Sequence, residues 1–258
     1  MRTRNVKNQN ASLMKNQSHP IRLMRPHSIG SVSLQFSGGD KSQVFVFDLG
    51  GVVIKWRSND PIYRYIAKRY DVPYATMKRT LIGNLLKVES GEISTEEFVQ
   101  EGLSRVGRRL RTGDSGKELW LRPFAQSAKV RLGVASLVAT LRKRGYRAYG
   151  LSNISPPHLA LGRARGWTNL FDGFFASYEL GCVKPQAEIF EKVLGAIGAS
   201  PDQVVFIDDT PACIRGAEEF GIRRAIRFQS IPQLKKDIDE AILAYKGTKT
   251  VSHPWNPQ

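Results

Sequence analysis

Residues 45–54, FVFDLGGVVI, constrain the fold of this chain more than any other stretch. Apolar residues lead to Asp48, and Gly50 and Gly51 follow at a turn. A short apolar run bounded by a turn is typical of a strand that is buried on both faces of a parallel sheet. Such a strand delivers one carboxylate to the carboxyl edge of the sheet, where glycines let backbone amides approach a ligand. This geometry suits an aspartate nucleophile that faces a phosphate, but buried strands that end in Asp and Gly are common, and three later segments are needed to support it.

Strands and helices alternate from about Leu132 to near the end of the chain. Predicted strands lie at residues 148–151, 174–178, 204–207 and 225–226, with helices between and after them. Apolar strands that alternate with helices favour an α/β fold with a doubly wound, Rossmann-like parallel sheet. We assign residues 43–58 and 126–247 to this core.

Residues 59–125 form a helical block inserted after the first strand, and we predict that they make a cap. Helical spacing relates a set of apolar residues that we expect to pack in the core: Met77, Leu81, Ile82, Leu85 and Leu86. The sequence Ser94-Thr95-Glu96-Glu97 predicts a capping box at the start of another helix. A cap in this place would cover the carboxyl edge of the sheet, where open α/β sheets bind ligands.

Three further polar segments follow predicted strands. Ser152 and Asn153 end one strand and can hold a phosphoryl oxygen. Lys184 can neutralise a carboxylate and a phosphate. The adjacent Asp208 and Asp209 repel each other unless a cation lies nearby, and Mg²⁺ suits such oxygen ligands. Each segment alone also fits an ordinary polar loop, an exposed lysine or a helix cap. Together, at the carboxyl ends of parallel strands, they predict one shared site.

The chain of 258 residues carries a formal net charge of +16. No RNP, zinc-finger or helix-turn-helix pattern accompanies this charge, so we favour a basic surface over a nucleic-acid partner. Cys182 and Cys213 lack the spacing of a disulfide framework or a zinc site and are expected to be reduced thiols. No apolar run approaches the roughly 20 residues that span a bilayer. We expect a soluble, intracellular, cytoplasmic protein without a membrane partner.

The two ends of the chain differ in composition from the middle. Residues 1–39 contain six Lys or Arg and no Asp or Glu. We predict that residues 1–42 are a basic, disordered extension, and a transit peptide to an organelle is the alternative. A third reading is a start at Met14 or Met24. Residues 248–258 are predicted to be a C-terminal tail.

Four stretches, FVFDLGGVV, LSN, SYELGCVKPQAEIFEKVL and FIDDTPACIRGA, stand in this order along the chain. The set resembles the haloacid dehalogenase superfamily, specifically its phosphatase-type members with a helical cap after the first strand. The resemblance runs from about Val44 to Ile231 and is strongest over residues 146–217. The Asp-x-Gly-Gly-Val motif is similar to that of phosphatases acting on glucose 1-phosphate. It is similar, at a greater distance, to the phosphatase domain of soluble epoxide hydrolases.

The resemblance implies a Mg²⁺-dependent phosphatase of a small phosphorylated metabolite, with sugar phosphates among the expected substrates. Asp48 would be the nucleophile that becomes an aspartyl phosphate. Ser152 and Asn153 would bind the phosphoryl group, and Lys184 would stabilise it together with Asp48.

The resemblance also implies the ligands of the metal. Mg²⁺ would be held by Asp48, by the backbone carbonyl of Gly50 and by Asp208 or Asp209. A dehalogenase would use the same nucleophile without a metal, and the Asp208–Asp209 pair argues against it because those charges would then be unpaired.

Gly50 departs from the pattern of the superfamily. Most of its phosphatases place a second aspartate, a general acid and base, two residues after the nucleophile. Such a group is typically worth about 10²–10⁴ in rate. The alternative function is therefore a non-catalytic binding or regulatory protein on the same fold. His158 is interpreted as a surface or packing histidine, with an acid role as the second hypothesis.

Overall fold

A computed structural model describes residues 43–56 and 58–250 of the chain, with side chains up to residue 245. Five strands form one parallel sheet in the order β3-β2-β1-β4-β5. Their bounds are β1 Val44–Phe47, β2 Arg147–Ser152, β3 Gly173–Ala176, β4 Val204–Asp208 and β5 Arg224–Arg227. The predicted α/β fold with a parallel Rossmann-like sheet is confirmed.

Alternate residues of the central strand enter two different cores. Phe45 and Phe47 belong to the larger hydrophobic cluster, whereas Val44 and Val46 belong to a second cluster on the other face. All four are at most 1% exposed. A strand has a side-chain period of two, so an uninterrupted apolar run is what a sheet covered on both faces requires.

Helices cover both faces of the sheet in the second part of the chain. Numbered after the five helices of the block between β1 and residue 132, they are α6 Leu132–Lys143, α7 Pro156–Ala164, α8 Ser177–Leu180, α9 Ala187–Ile197, α10 Pro211–Phe220 and α11 Ile231–Thr250. The strand predicted at 174–178 ends earlier, at Ala176, because Ser177 begins α8. Within the described part of the chain, none of the helices combines the length and apolar character needed to cross a membrane.

The block between β1 and α6 is helical. It comprises α1 Asp60–Tyr70, α2 Tyr74–Ile82, α3 Leu85–Glu89, α4 Thr95–Ser104 and α5 Gly116–Ser127. The predicted capping box is confirmed: the Ser94 hydroxyl accepts from the Glu97 amide, and the Glu97 carboxylate accepts from the Ser94 amide. The assignment of residues 59–125 to a separate cap domain stays a prediction.

The apolar series from Met77 to Leu86 spans two helices, and only part of it lies in the core. α2 ends at Ile82, and Asn84 begins a new turn while its side chain donates to Glu101 of α4 at 2.8 Å. Met77 and Leu81 are buried, but Ile82 is 46% and Leu86 58% exposed. The expectation that all of these residues pack in the core was wrong, because the series is not one helix: Ile82 is the last residue of α2, and Leu86 lies in the separate helix α3.

The predicted C-terminal tail, residues 248–258, begins within α11, which continues to Thr250. The rest of the tail and the predicted extension at residues 1–42 lie outside the described residues.

Candidate active site at the carboxyl edge of the sheet

Three adjacent strands each end in a polar residue at the same edge. Asp48 follows β1, Ser152 ends β2 and Asp208 ends β4. β1 lies between the other two, and Phe47 is in register with Gly150 of β2 and Ile207 of β4. The Asp48 amide continues the ladder by donating to the Ile207 carbonyl at 2.8 Å. The sheet register therefore places Asp48 between the other two side chains.

Lys184 joins this edge from the loop after α8. Its ammonium donates to Asp48 Oδ1 at 2.9 Å, to Asp208 Oδ2 at 2.6 Å and to the Leu151 carbonyl at 3.1 Å. The lysine is 3% exposed. An ammonium has three protons to donate, so all three are used and the side chain is held in one place.

Asn153 holds the backbone of Lys184. Its Oδ1 accepts from the Lys184 amide at 2.8 Å, and its Nδ2 donates to the Lys184 carbonyl at 2.9 Å. Ser152 makes only a long hydrogen bond of 3.4 Å, to the Asn153 carbonyl. The Ser152 hydroxyl is thus better placed than the Asn153 amide to bind a ligand, and phosphate binding by either residue stays a prediction.

The cluster holds more negative than positive charge. Carboxylate oxygens of Asp48, Asp208 and Asp209 lie within 4.8 Å of one another, and Lys184 is the cation that contacts two of them. Burial raises the pKa of Asp48 to about 7, the Lys184 ammonium opposes that rise and Asp208 adds to it. The pKa of Lys184 is raised: burial opposes its charged form, but the attraction of Asp208 and Asp48 prevails.

The two glycines after Asp48 have different roles. Gly51 has a φ of +82°, and a Cβ there would lie 2.1 Å from Asp209 Oδ2. A Cβ at Gly50 would meet only the Trp56 carbonyl, at 3.6 Å. Gly51 is therefore required for the carboxylate of Asp209 to pack against the turn, whereas position 50 has room for a side chain.

A cavity of about 530 Å³ opens above the cluster. We call the core residues on one side the sheet wall: Asp48, Ser152, Lys184 and Asp208. We call the residues of α1–α3 on the other side the helix wall: Asp60, Lys78, Ile82, Leu85 and Glu89. Both walls surround one space, which is large enough for a small metabolite.

Comparison with known proteins identifies the family. The sequence model described as haloacid dehalogenase-like hydrolase matches residues 43–221, well over half of the chain. The chain belongs to this family of hydrolases. The resemblance inferred from the four motifs is confirmed.

Similar proteins support this membership. A D-ribitol-5-phosphate phosphatase of Bacteroides thetaiotaomicron is 28% identical over 185 residues, which cover 68% of this chain and 87% of the relative. A sesquiterpene phosphatase of Aspergillus oryzae is 28% identical over 187 residues, covering 69% of this chain and 85% of that protein.

A solved structure shows the same fold. It is a haloacid dehalogenase family enzyme from Bacteroides thetaiotaomicron, crystallised with magnesium and inorganic phosphate. The TM-score is 0.59 at 22% identity, and the match covers 73% of this chain and 94% of the other.

The haloacid dehalogenase motifs all meet at one edge. The geometry brings together Asp48, Ser152, Lys184, Asp208 and Asp209, which the sequence had placed at the carboxyl ends of strands or in the loops beyond them. Their roles in catalysis and metal binding remain predictions.

His158 is a packing residue in this haloacid dehalogenase-like hydrolase. Its ring stacks on Phe124, with centroids 4.0 Å apart, and its Nε2 lies 3.3 Å from the Trp120 carbonyl. Burial lowers its pKa to about 4, with the Trp120 carbonyl opposing. The ring is therefore neutral at pH 7.

The sequence reasoning missed Glu89. Its carboxylate lines the same cavity as Asp48 and Lys184. Burial raises its pKa to about 7, with Lys184 opposing and Asp48 adding to the rise. The sequence around it, VESGEI, is that of an ordinary helix end, and only the contact with the core reveals its position.

Proposed function

We propose that this hydrolase is a Mg²⁺-dependent phosphatase of a small phosphorylated metabolite, with sugar phosphates among its substrates. The observation that carries the proposal is the Asp48–Lys184–Asp208 cluster at the floor of a cavity. It combines a nucleophilic carboxylate with a fixed cation, as in-line phosphoryl transfer requires.

The charges of the site fit a divalent cation. Three carboxylates share the space with one lysine, which leaves a formal excess of two negative charges on the groups that form the cluster. Hard oxygen ligands of this kind suit Mg²⁺. Asp48, the carbonyl of Gly50 and one or both of Asp208 and Asp209 would hold it. Bound there, the ion would supply positive charge to the phosphoryl oxygens.

The residues of the chain then have separate tasks. The free carboxylate oxygen of Asp48 attacks phosphorus, and water hydrolyses the resulting aspartyl phosphate. Lys184 fixes the orientation of Asp48 and balances the charge of the phosphoryl group. Ser152 donates to a phosphoryl oxygen. Asn153 acts through Lys184, because its two hydrogen bonds hold the lysine backbone in place.

The helical block has the position of a cap. Residues of α1, α2 and α3 line the cavity opposite the sheet wall. The Trp120 indole of α5 donates to the buried Ser155 hydroxyl at 3.1 Å, which ties the block to the core. We propose that residues 59–125 are the cap domain and contact the leaving group of the substrate.

The test is phosphate release from a panel of phosphorylated metabolites, including sugar 1-phosphates, polyol phosphates and isoprenoid phosphates, with and without Mg²⁺. We expect Mg²⁺-dependent release from a subset. The Asp48→Asn protein should lose activity by at least about 10³-fold, since it lacks the nucleophile. Its melting temperature should be retained, because the change removes a charge that burial disfavours.

Asp71→Asn is the matched control. Asp71 is exposed at the end of α1 with a φ of 51°, a conformation that asparagine also adopts. Release that persists in Asp48→Asn would contradict the mechanism. No release from any substrate with excess Mg²⁺ would favour the binding or regulatory protein.

A further inference from the structure

The proposed reaction needs a proton for the leaving group, and four core residues that line the cavity near Asp48 are poor donors. Gly50 has no side chain. All three protons of the Lys184 ammonium are used. Burial raises the pKa of Cys213 to about 12, so its thiol is a weak acid. His158 is neutral at pH 7 and packed between aromatic rings.

Glu89 lies where such a donor is needed. It is the last residue of α3 and lines the cavity opposite Asp48 and Lys184. Its side chain is partly buried, and among the described residues its carboxyl group has neither a hydrogen bond nor an ion pair. Neighbouring glutamates differ: Glu92 pairs with Lys87 on the surface. The Glu89 carboxyl group therefore lines the site and, among the described residues, makes no hydrogen bond or ion pair that stabilises the fold.

Two hydrogen bonds connect the backbone of Glu89 to the loop that follows β2. The Ile154 amide donates to Ser177 Oγ at 3.0 Å, and Ser177 Oγ donates to the Glu89 carbonyl at 2.5 Å. Gly91 lies against α8, since a Cβ there would be 2.7 Å from the Tyr178 carbonyl. Ile154 directly follows Asn153, so these contacts fix the position of Glu89 relative to the carboxyl edge of the sheet.

The charged surroundings favour a protonated Glu89. Burial is the main cause of its raised pKa of about 7, Asp48 adds to the rise and Lys184 opposes it. Asp208 and Asp209 also face the cavity from the core, and Asp60 does so from α1 as the partner of Lys78. A phosphate would add negative charge and raise the pKa further. Burial therefore favours the protonated form of Glu89, which is the form that a general acid needs.

We propose that Glu89 is the general acid and base of this enzyme and replaces the aspartate that is absent at Gly50. This inference rests on the proposed function.

In the first step an oxygen of Asp48 bonds to phosphorus and the bond from phosphorus to the ester oxygen breaks. The Glu89 carboxyl gives its proton to that oxygen, so the alcohol leaves neutral and Glu89 becomes a carboxylate. In the second step Glu89 takes a proton from water, the water oxygen bonds to phosphorus and the Asp48–phosphorus bond breaks. Phosphate leaves, and Glu89 is protonated again.

The experiment compares phenyl phosphate with p-nitrophenyl phosphate for wild type and Glu89→Gln, as kcat/KM with saturating Mg²⁺. Glutamine has the shape of protonated glutamate but cannot transfer the proton. We expect about a 10²–10⁴-fold loss on phenyl phosphate. On p-nitrophenyl phosphate the loss should be below about 10-fold, because nitrophenolate needs little protonation to leave. Glu92→Gln is the matched control and should behave as wild type on both.

A second variant separates chemistry from structure. Adding Gly50→Asp to Glu89→Gln should restore most of the activity on phenyl phosphate, since position 50 accommodates a Cβ. Gly50→Asp alone, in the wild-type protein, should increase the activity on phenyl phosphate much less, because Glu89 already supplies the proton. The activity ratio of wild type to Glu89→Gln should fall toward one as the pH rises through the pKa of Glu89, because the wild-type carboxyl group then loses the proton that it transfers.

Equal losses on both esters, no loss on either, or a pH-independent ratio would overturn the role of Glu89. Failure of Gly50→Asp to restore the double variant would do the same. In each of these cases Asp48-dependent release by wild type would leave the proposed function standing. Wild type that releases no phosphate from either ester or from any member of the metabolite panel would instead contradict the phosphatase function itself, and Glu89 with it.

Discussion

The sheet wall and the helix wall enclose one cavity and differ in how their charges are held. Lys184 and Asp208 of the sheet wall form an ion pair whose side chains are 2% and 1% exposed. Lys78 and Asp60 of the helix wall also form an ion pair, but their side chains are 39% and 38% exposed. The same chemistry is thus buried on one side of the cavity and hydrated on the other.

The difference separates the tasks of the two walls. Buried, fully hydrogen-bonded charges do not reorganise when a substrate binds, which suits the constant part of a substrate, the phosphate. Hydrated charges beside exposed apolar groups, such as Ile82, make weaker contacts that vary with the ligand. We infer that the sheet wall carries the chemistry and that the helix wall carries substrate preference, with Glu89 as the exception.

The largest expected effect on stability comes from replacing Lys184, and the same replacement of Lys78 serves as its control. Lys184→Met leaves two buried carboxylates without their cation, and we expect a loss of about 3–5 kcal/mol in the free energy of unfolding. Lys78→Met, its control on the helix wall, should lose at most about 1 kcal/mol. Urea unfolding at pH 7 with EDTA measures both. Similar losses for the two variants would contradict the distinction between a buried ion pair in the sheet wall and a hydrated one in the helix wall.

The next effect concerns His158, which is buried against Trp120 and Phe124 of α5. Its pKa is about 4 in the folded protein and about 6.5 when unfolded, so the unfolded state binds the proton more readily. Its contribution to stability is therefore complete above pH 6.5 and is lost as the pH falls toward 4. The shift corresponds to about 3 kcal/mol.

The measurement is the stability difference between wild type and His158→Gln at several pH values. Taking this difference cancels the contributions of Asp48 and Glu89 to the pH dependence of stability. Their raised pKa values favour the folded state as the pH falls, which is opposite to the effect of His158. We expect wild type to lose its advantage between pH 6.5 and 4. A difference that stays constant over this range would show that His158 is not held neutral by burial.

The adjacent glycines at the sheet wall provide a smaller effect. Gly51→Ala forces a Cβ into a backbone of positive φ and against Asp209, and we expect a loss of about 2 kcal/mol together with a higher Mg²⁺ requirement. Gly50→Ala meets only an ordinary contact and should change stability by less than about 1 kcal/mol. Thermal unfolding and Mg²⁺ titration of activity test the pair. Equal stability and equal Mg²⁺ requirement in the two variants would show that the position of the Asp209 carboxylate does not depend on Gly51.

The sheet wall was predictable because its positions follow from local patterns. An apolar run sets a buried strand, and the residue after it must lie at the carboxyl edge, so Asp48, Ser152 and Asp208 could be placed without coordinates. Lys184 needed the motif as well, since its loop has no such pattern.

The helix wall was not predictable in this way, because its positions depend on distant contacts. The helical spacing from Met77 to Leu86 looked continuous, yet the helix breaks after Ile82, where Asn84 donates to Glu101 of α4. Ile82 itself is 46% exposed. Glu89 faces the site because of Ser177, which is 88 residues away in the chain. No local signal encodes either contact.

The smallest effect on stability, and the sharpest test of the two walls, comes from Ile82→Ser. Ile82 lines the cavity and is 46% exposed, so the change should alter the free energy of unfolding by less than about 0.5 kcal/mol. If the helix wall contacts the leaving group, KM for an isoprenoid phosphate should rise by about 10-fold, and KM for a polyol phosphate should not. Steady-state kinetics measure KM for both substrates. Leu243→Ser, at an exposed residue of α11, is the control. Equal changes in KM would mean that the helix wall does not distinguish leaving groups, and substrate preference would then have to lie in the sheet wall.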